Sequence, residues 1–375
     1  MTLSILFISG AFEIGRCGVS DQFFLLSKAL SRHGVVITCI ALNDSCTDID
    51  LPLLVNRSRI DGINILRFSS AFPWRLRSNA LRAEINDFKP DWISLQYVPF
   101  AFHSKGLPFC LIQCLASVKY HCKWHVMVHE LWVDPSQSIR HRLLYYLQRQ
   151  IFRLLCIILH PRLVHTSNHW YQGLLSSVGV KSALLPLFSN IAYVPVVSLK
   201  KTPTQDWTFL FFGAINMDWQ PEELFHQIEI ARRKKSILSC KFVSVGNLGD
   251  YGTKLWDSFE QYSSPAFQFF RFGKLSQEII SEHLQKADFG ISVSPSHLID
   301  KSSSTAAMLS HGLPVIITRL TPDCNEWHAQ LKKSGKFILL DDTFLDSLLT
   351  TKRYPPRDIL EDTATVFLQS LQDLS

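Results

Sequence analysis

DFGISVSPSHLIDKSSSTAAMLSHGLPVIIT, residues 288–318, carries a complete structural unit. DFGISVSPS has the composition of a buried strand, HLID of a loop, SSSTAAMLSHG of a helix, and LPVIIT of a second strand. Two apolar runs joined by a helix predict a parallel crossover, because parallel strands cannot be linked by a tight turn. Gly312 stands where a helix ends in the left-handed conformation. The hydroxyl run Ser302, Ser303, Ser304 and Thr305 stands where a helix begins, since these residues disfavour helix interiors and favour N-termini.

The same alternation extends outward in both directions. Upstream, LSILFIS, VVITCIAL, INILRF, DWISLQYV, WHVMVH, RLVHTS and SALLPLF are strand-like, separated by helical stretches such as VSDQFFLLSKALSRHG. A polar, proline-bearing segment, VSLKKTPTQDW (197–207), reads as a linker. The pattern restarts with WTFLFFGAI, CKFVSVGN and FQFFRFG, and KFILL follows the opening stretch. The chain is therefore expected to be α/β, with two Rossmann-like doubly wound domains at 1–200 and 201–375. The last helix, about 356–374, has no strand after it and can pack on either domain.

Bulk composition agrees with this organisation. At 375 residues the chain exceeds the size of a single core, and 47% apolar against 19% charged residues suffices to fill two. The net charge of +6 gathers in clusters such as Arg232-Arg233-Lys234-Lys235, which read first as solvated helix faces. No basic stripe is interleaved with aromatics, so nucleic acid is not expected as a partner. Nine cysteines without a CxxC pair suggest a reduced, cytoplasmic protein. MTLSILFISGAF lacks the basic start of an export signal, and no 18-residue apolar run predicts a spanning helix.

In doubly wound sheets ligands bind where strands run into helices, so the loops after strands carry the functional reading. In GAFEIGRCGVSDQ (10–22), Gly15 and Gly18 offer backbone N–H groups to a ligand, with Ser20 or Asp21 as helix cap. The spacing is not G-x-G-x-x-G; only Asp44 after the second strand keeps a nicotinamide enzyme open. VMVHELW places His129 and Glu130 at a strand end, to contact substrate or to sit buried and hydrogen-bonded. A zinc site of HExxH type is excluded by Val133, and no metal or other cofactor is expected. Gly246 and Asn247 in VSVGNLGDYG, and Gly273 and Lys274 in FRFGKLS, lie on the same sheet edge as Lys301. A lysine opposes the dipole at a helix N-terminus, but it fits there if an anion lies between it and the helix. A diphosphate is the expected anion; an exposed loop lysine is the alternative. Finally, SIRHRLLYYLQRQIFRLL (138–155) has Ile139, Leu143, Leu147, Ile151 and Leu154 on one stripe, with Arg142, Arg149 and Arg153 off it. A helix whose stripe covers the sheet is expected; peripheral membrane contact is the alternative.

Taken in order, GRCGVSDQ, QYVPFAF (96–102), VHELW, LVHTSNHW (163–170), LPLFSN (185–190), FLFFGAIN (209–216) and the run from FGKLS to LPVI make the chain resemble retaining nucleotide-sugar glycosyltransferases of the GT-B fold, family four. The resemblance implies two facing domains, the first on the acceptor side and the second holding a nucleotide-diphosphate sugar. It implies Gly18 near the donor phosphates or sugar, His129 beside the sugar, and Gly213 and Gly273 among the donor-binding turns. Glycan, lipid-linked or small-molecule acceptors follow from the same likeness. The sequence departs from the family at the paired glutamates, replaced by Ile299 and Ala307, and at the diphosphate cations, replaced by Ala214 and Trp219. Lys301 is the expected substitute cation. A silent scaffold that only binds nucleotide, or a sugar-nucleotide epimerase, are the competing readings.

Overall fold

The computed structural model describes residues 2–15, 17–45, 53–195, 205–215 and 219–374. The first sheet contains β1 (Ser4–Ser9), β2 (Val36–Asp44), β3 (Val55–Ile60), β4 (Ile63–Ser69), β5 (Trp92–Tyr97), β6 (Lys123–Val128), β7 (Leu163–Thr166) and β8 (Ala183–Leu184). Its order is β3-β4-β2-β1-β5-β6-β7-β8. The second sheet contains β9 (Asp206–Phe212), β10 (Ser239–Val245), β11 (Phe267–Arg271), β12 (Phe289–Pro295), β13 (Val315–Arg319) and β14 (Phe337–Leu339), ordered β11-β10-β9-β12-β13-β14. Each sheet winds outward from its first strand and then reverses, between β1 and β5 and between β9 and β12. A doubly wound sheet opens its ligand crevice at that switch point.

All pairings are parallel except β3 with β4. That hairpin turns on Asp61 and Gly62, both at positive φ, as a tight two-residue turn demands. VNRSRI carries no apolar run and is largely exposed, so it lacks the signature of a buried strand.

The first sheet is covered by α1 (Gly18–Arg32), α2 (Trp74–Phe88), α3 (Pro99–Phe102), α4 (Phe109–Ala116), α5 (Ile139–Leu159) and α6 (His169–Ser176). The second carries α7 (Glu222–Lys234), α8 (Gly249–Ser258), α9 (Gln277–Lys286), α10 (Ser303–Ser310), α11 (Asn325–Lys333) and α12 (Phe344–Thr350). Its core is aromatic: Phe209 stacks between Phe242 at 5.2 Å and Phe289 at 5.4 Å. α1 closes as the sequence suggests, with Gly34 left-handed and Val35 N donating to Leu30 O at 3.2 Å.

The chain forms two units, 1–186 with 360–375, and 187–359. The division therefore falls before residue 200, because Ile191 is buried beside Leu210 and Val243 and Val194 N donates to Ser281 Oγ at 3.0 Å. Most of the expected linker, residues 197–204 of 197–207, lies outside the described residues. The last helix, α13 (Leu360–Gln372), belongs to the first unit. Phe367 packs 6.3 Å from Phe7, and Glu361 pairs with Arg32 and His33 of α1.

The expected stripe of α5 is not the one that covers the sheet. Of its five residues only Ile151 is buried; Ile151, Phe152, Leu155 and Leu159 face inward. Gln148 fixes that rotation, accepting from Val133 N at 2.9 Å and donating to Lys105 O at 3.0 Å. The helix is apolar on two sides, so periodicity alone cannot choose between them.

Candidate functional site

At the carboxyl edge of the second sheet, β9, β10 and β11 each run into a left-handed glycine: Gly213 (φ 86°), Gly246 (94°) and Gly273 (63°). Their backbones interlock past the strand ends. Gly213 N donates to Val245 O at 2.9 Å, and Gly246 N donates to Gly273 O at 2.7 Å. A Cβ on Gly246 would sit 3.3 Å from Gly213 N, so the aligned turns leave a ledge of bare backbone. Asn247 turns its Oδ1 back to accept from Gly249 N at 3.0 Å and opens α8; Lys274 is exposed beside Gly273.

Across the switch point, β12 leads through a 3-10 turn (Ser296–Lys301) into α10. Gly290 lets this helix lie close on its strand, since a Cβ there would meet Met308 Sδ at 2.5 Å. The four hydroxyl residues divide their work. Ser302 is the N-cap, accepting from Thr305 N at 3.3 Å, while its own N–H donates to Ile299 O. Thr305 is buried, with its Oγ1 in hydrogen bonds to Ser292 Oγ at 3.2 Å and Ser302 Oγ at 3.0 Å. Neither Ser302 nor Thr305 offers its N–H to a ligand, contrary to expectation. The N–H groups of Ser303 and Ser304 have no acceptor among the described residues. Lys301 is half-buried and immediately precedes the cap.

Three of the four departures from the family it resembles, Ile299, Ala307 and Trp219, are built into the cores. Ile299 packs with Ile317, Leu331 and Leu339, and Ala307 is fully buried. Trp219 lies between Phe211 and Phe259, with ring centroids at 5.5 and 5.9 Å, while Ala214 is exposed. Neither of these last two side chains can supply a cation.

In the first domain the glycine turn differs from expectation. Gly15 is left-handed, but its N–H donates to Asp21 Oδ1 at 2.7 Å, and Glu13 N donates to Ser20 Oγ at 3.1 Å. Ser20 and Asp21 thus fold the loop back onto α1; its N-cap is Cys17. Gly18 opens the helix and is exposed. Asp44 is buried in an ion pair with Arg67 at 2.8 Å and accepts from Phe12 N, which removes it as a ribose contact.

His129 stands half-buried at the end of β6, next to Glu130, and heads a buried polar row. Its Nε2 is 2.8 Å from Gln96 Oε1, and Gln96 Nε2 donates to Ser94 Oγ at 2.8 Å. Ser94 Oγ is 2.8 Å from His125 Nδ1, and His125 Nε2 is 3.2 Å from His165 Nδ1. Because Gln96 donates to Ser94, the row is satisfied when His129, Ser94 and His125 each donate to the next group. That fixes His129 as an Nε2–H donor. His129 is legible as a site residue in the sequence; Gln96, Ser94 and His165 are not. The available signal was two polar residues, two apart, in the otherwise apolar and fully buried strand WISLQY.

Burial pushes His165 down to about 4, and burial with the neighbouring His165 holds His125 well below its ordinary value of 6.5. Both stay neutral in the fold while the unfolded chain protonates near 6.5, so their stabilisation is present above that pH and is lost below it. Between pH 7.5 and 5, above most carboxylate titration, His165 should remove about 2 kcal/mol of stability, and His125 acts in the same direction. Urea unfolding at the two pH values measures this; equal stabilities would contradict the buried neutral row.

No family model and no curated protein sequence matches the chain. Solved structures do. A lipopolysaccharide outer core galactosyltransferase is 13% identical with a TM-score of 0.54, over 99% of each chain. The UDP-GlcNAc 2-epimerase of Neisseria meningitidis, bound to UDP-GlcNAc, is 9% identical with a TM-score of 0.53, over 99% of this chain and 100% of that one. The catalytic domain of starch synthase IV from Arabidopsis thaliana, bound to ADP and acarbose, is 10% identical with a TM-score of 0.54, over 100% and 99%. At these identities the likeness speaks for architecture: the chain has the two Rossmann-like domains of the GT-B fold.

Proposed function

We propose that the protein is a glycosyltransferase, using a nucleoside-diphosphate sugar and a glycan or lipid-linked acceptor. The observation that carries this reading is the second sheet's carboxyl edge. Three left-handed glycine turns there accompany α10, whose Ser303 and Ser304 N–H groups have no acceptor among the described residues, with Lys301 just before its cap. Bare backbone, a helix N-terminus and a cation together suit a diphosphate.

Breaking the bond between sugar and diphosphate puts charge on the leaving group. Lys301 and the two N–H groups stabilise that charge as it develops. Gly213, Gly246 and Gly273, with Asn247 and Lys274, are assigned to the nucleotide. His129, with Gly18 and Glu130, is assigned to the sugar, and Gln96 positions the imidazole. Retention and membership of family four rest on the motif resemblance.

A sugar-nucleotide epimerase is the second reading, favoured by the end-to-end match to the Neisseria enzyme. Incubation with UDP-, GDP- and ADP-sugars, with and without glycan and lipid acceptors, separates the two. Acceptor-dependent release of one nucleoside diphosphate is expected. An epimerised donor formed without any acceptor would replace transfer by epimerisation, and donor binding without turnover would leave a silent scaffold.

A further inference from the structure

α5 has a second apolar face, turned to solvent. Ile139, Leu143, Tyr146, Leu147, Leu154 and Ile157 recur at helical spacing on the side opposite Ile151, Phe152 and Leu155. Ile139 is 80% exposed, Leu143 64% and Ile157 61%. At 1.5 Å per residue the stripe runs about 27 Å. A helix on a soluble surface ordinarily presents polar residues there.

The charge around the stripe has one sign. At 100° per residue, Arg142 and Arg153 fall along one border and Arg140 along the other, and all three are exposed. Residues 135–205 contain no aspartate or glutamate, while they include Arg140, Arg142, Arg149, Arg153, Arg162 and Lys181.

We infer that the outward face of α5 docks on an anionic lipid surface. The aliphatic residues enter the headgroup boundary, and the bordering arginines meet lipid phosphates. A second copy of this chain fits poorly, because an isologous contact would bring two acid-free basic faces together. No helix among the described residues is long and apolar enough to cross a membrane, and four arginines interrupt α5, so the helix lies on the surface. This inference does not depend on the transferase reading.

Vesicle co-sedimentation of the full chain tests it, with phosphatidylcholine alone and with 30% phosphatidylglycerol (our choice of a moderately anionic surface). Wild type should bind the anionic vesicles roughly tenfold or more tightly than the neutral ones, and less tightly as salt rises. Leu143→Glu/Leu147→Glu and, separately, Arg142→Glu/Arg153→Glu should each lower that binding by roughly tenfold, with unchanged thermal midpoints, since all four side chains are exposed. Failure of wild type to bind, equal binding to both vesicles, or unaltered binding in both variants would overturn the inference. So would a dimer seen by light scattering that Leu143→Glu/Leu147→Glu dissolves.

Discussion

Lys301→Ala is expected to lower kcat/KM for the donor by about 10²–10³-fold, equivalent to about 2.7–4 kcal/mol of transition-state stabilisation. The size follows from what remains without the lysine. A helix N-terminus alone contributes about 0.3–1 kcal/mol to an exposed anion. The two positions where the family it resembles carries cations are occupied by Ala214 and by Trp219, the latter sealed among Phe211 and Phe259. Among the second-domain residues assigned to the leaving diphosphate, Lys301 is thus the one that brings a full positive charge. Lys301→Arg keeps that charge and should lose much less. Steady-state kinetics on both variants provide the measurement; a loss below about threefold in Lys301→Ala would remove the lysine from the leaving-group site.

Gly312→Ala should destabilise the second domain by about 3–5 kcal/mol. Gly312 closes α10 at φ 70°, which is costly for alanine, and its Cβ would come within 2.0 Å of Tyr354 O. That carbonyl belongs to a strap that cannot easily retreat. Tyr354 N donates to Gly312 O at 3.1 Å, and the half-buried Arg353 donates through its guanidinium to Leu284 O and His311 O. Gly335→Ala is the control, because Gly335 is equally left-handed (φ 67°) but a Cβ there meets nothing within 4 Å. It should lose only about 1–2 kcal/mol. Urea unfolding of both variants distinguishes the contributions, and equal losses would show that the close approach to Tyr354 carries no weight.

Much of the architecture is legible because parallel strands buried on both faces write continuous apolar runs, as LSILFIS and DFGISVSP do. The glycine turns are legible for a related reason: a chain leaving a strand at positive φ calls for glycine whatever the partners. What escaped depends on contacts between distant segments. VNRSRI is a strand only because β4 pairs with it. Ser20 and Asp21 look like helix caps until the loop folds back to use them. The rotation of α5 is decided by Gln148 bonding two loops, and the row behind His129 by the register that sets Ser94 against His125.

The second sheet's carboxyl edge is proposed to hold a nucleoside diphosphate. Thermal unfolding with UDP, GDP and ADP, on wild type and Lys301→Ala, tests it most directly. A ligand at about 100 times its dissociation constant adds about 2.7 kcal/mol of stability. One of the three should give such a shift in wild type, sharply reduced in Lys301→Ala. No shift with any of them, or an equal shift in the variant, would contradict it.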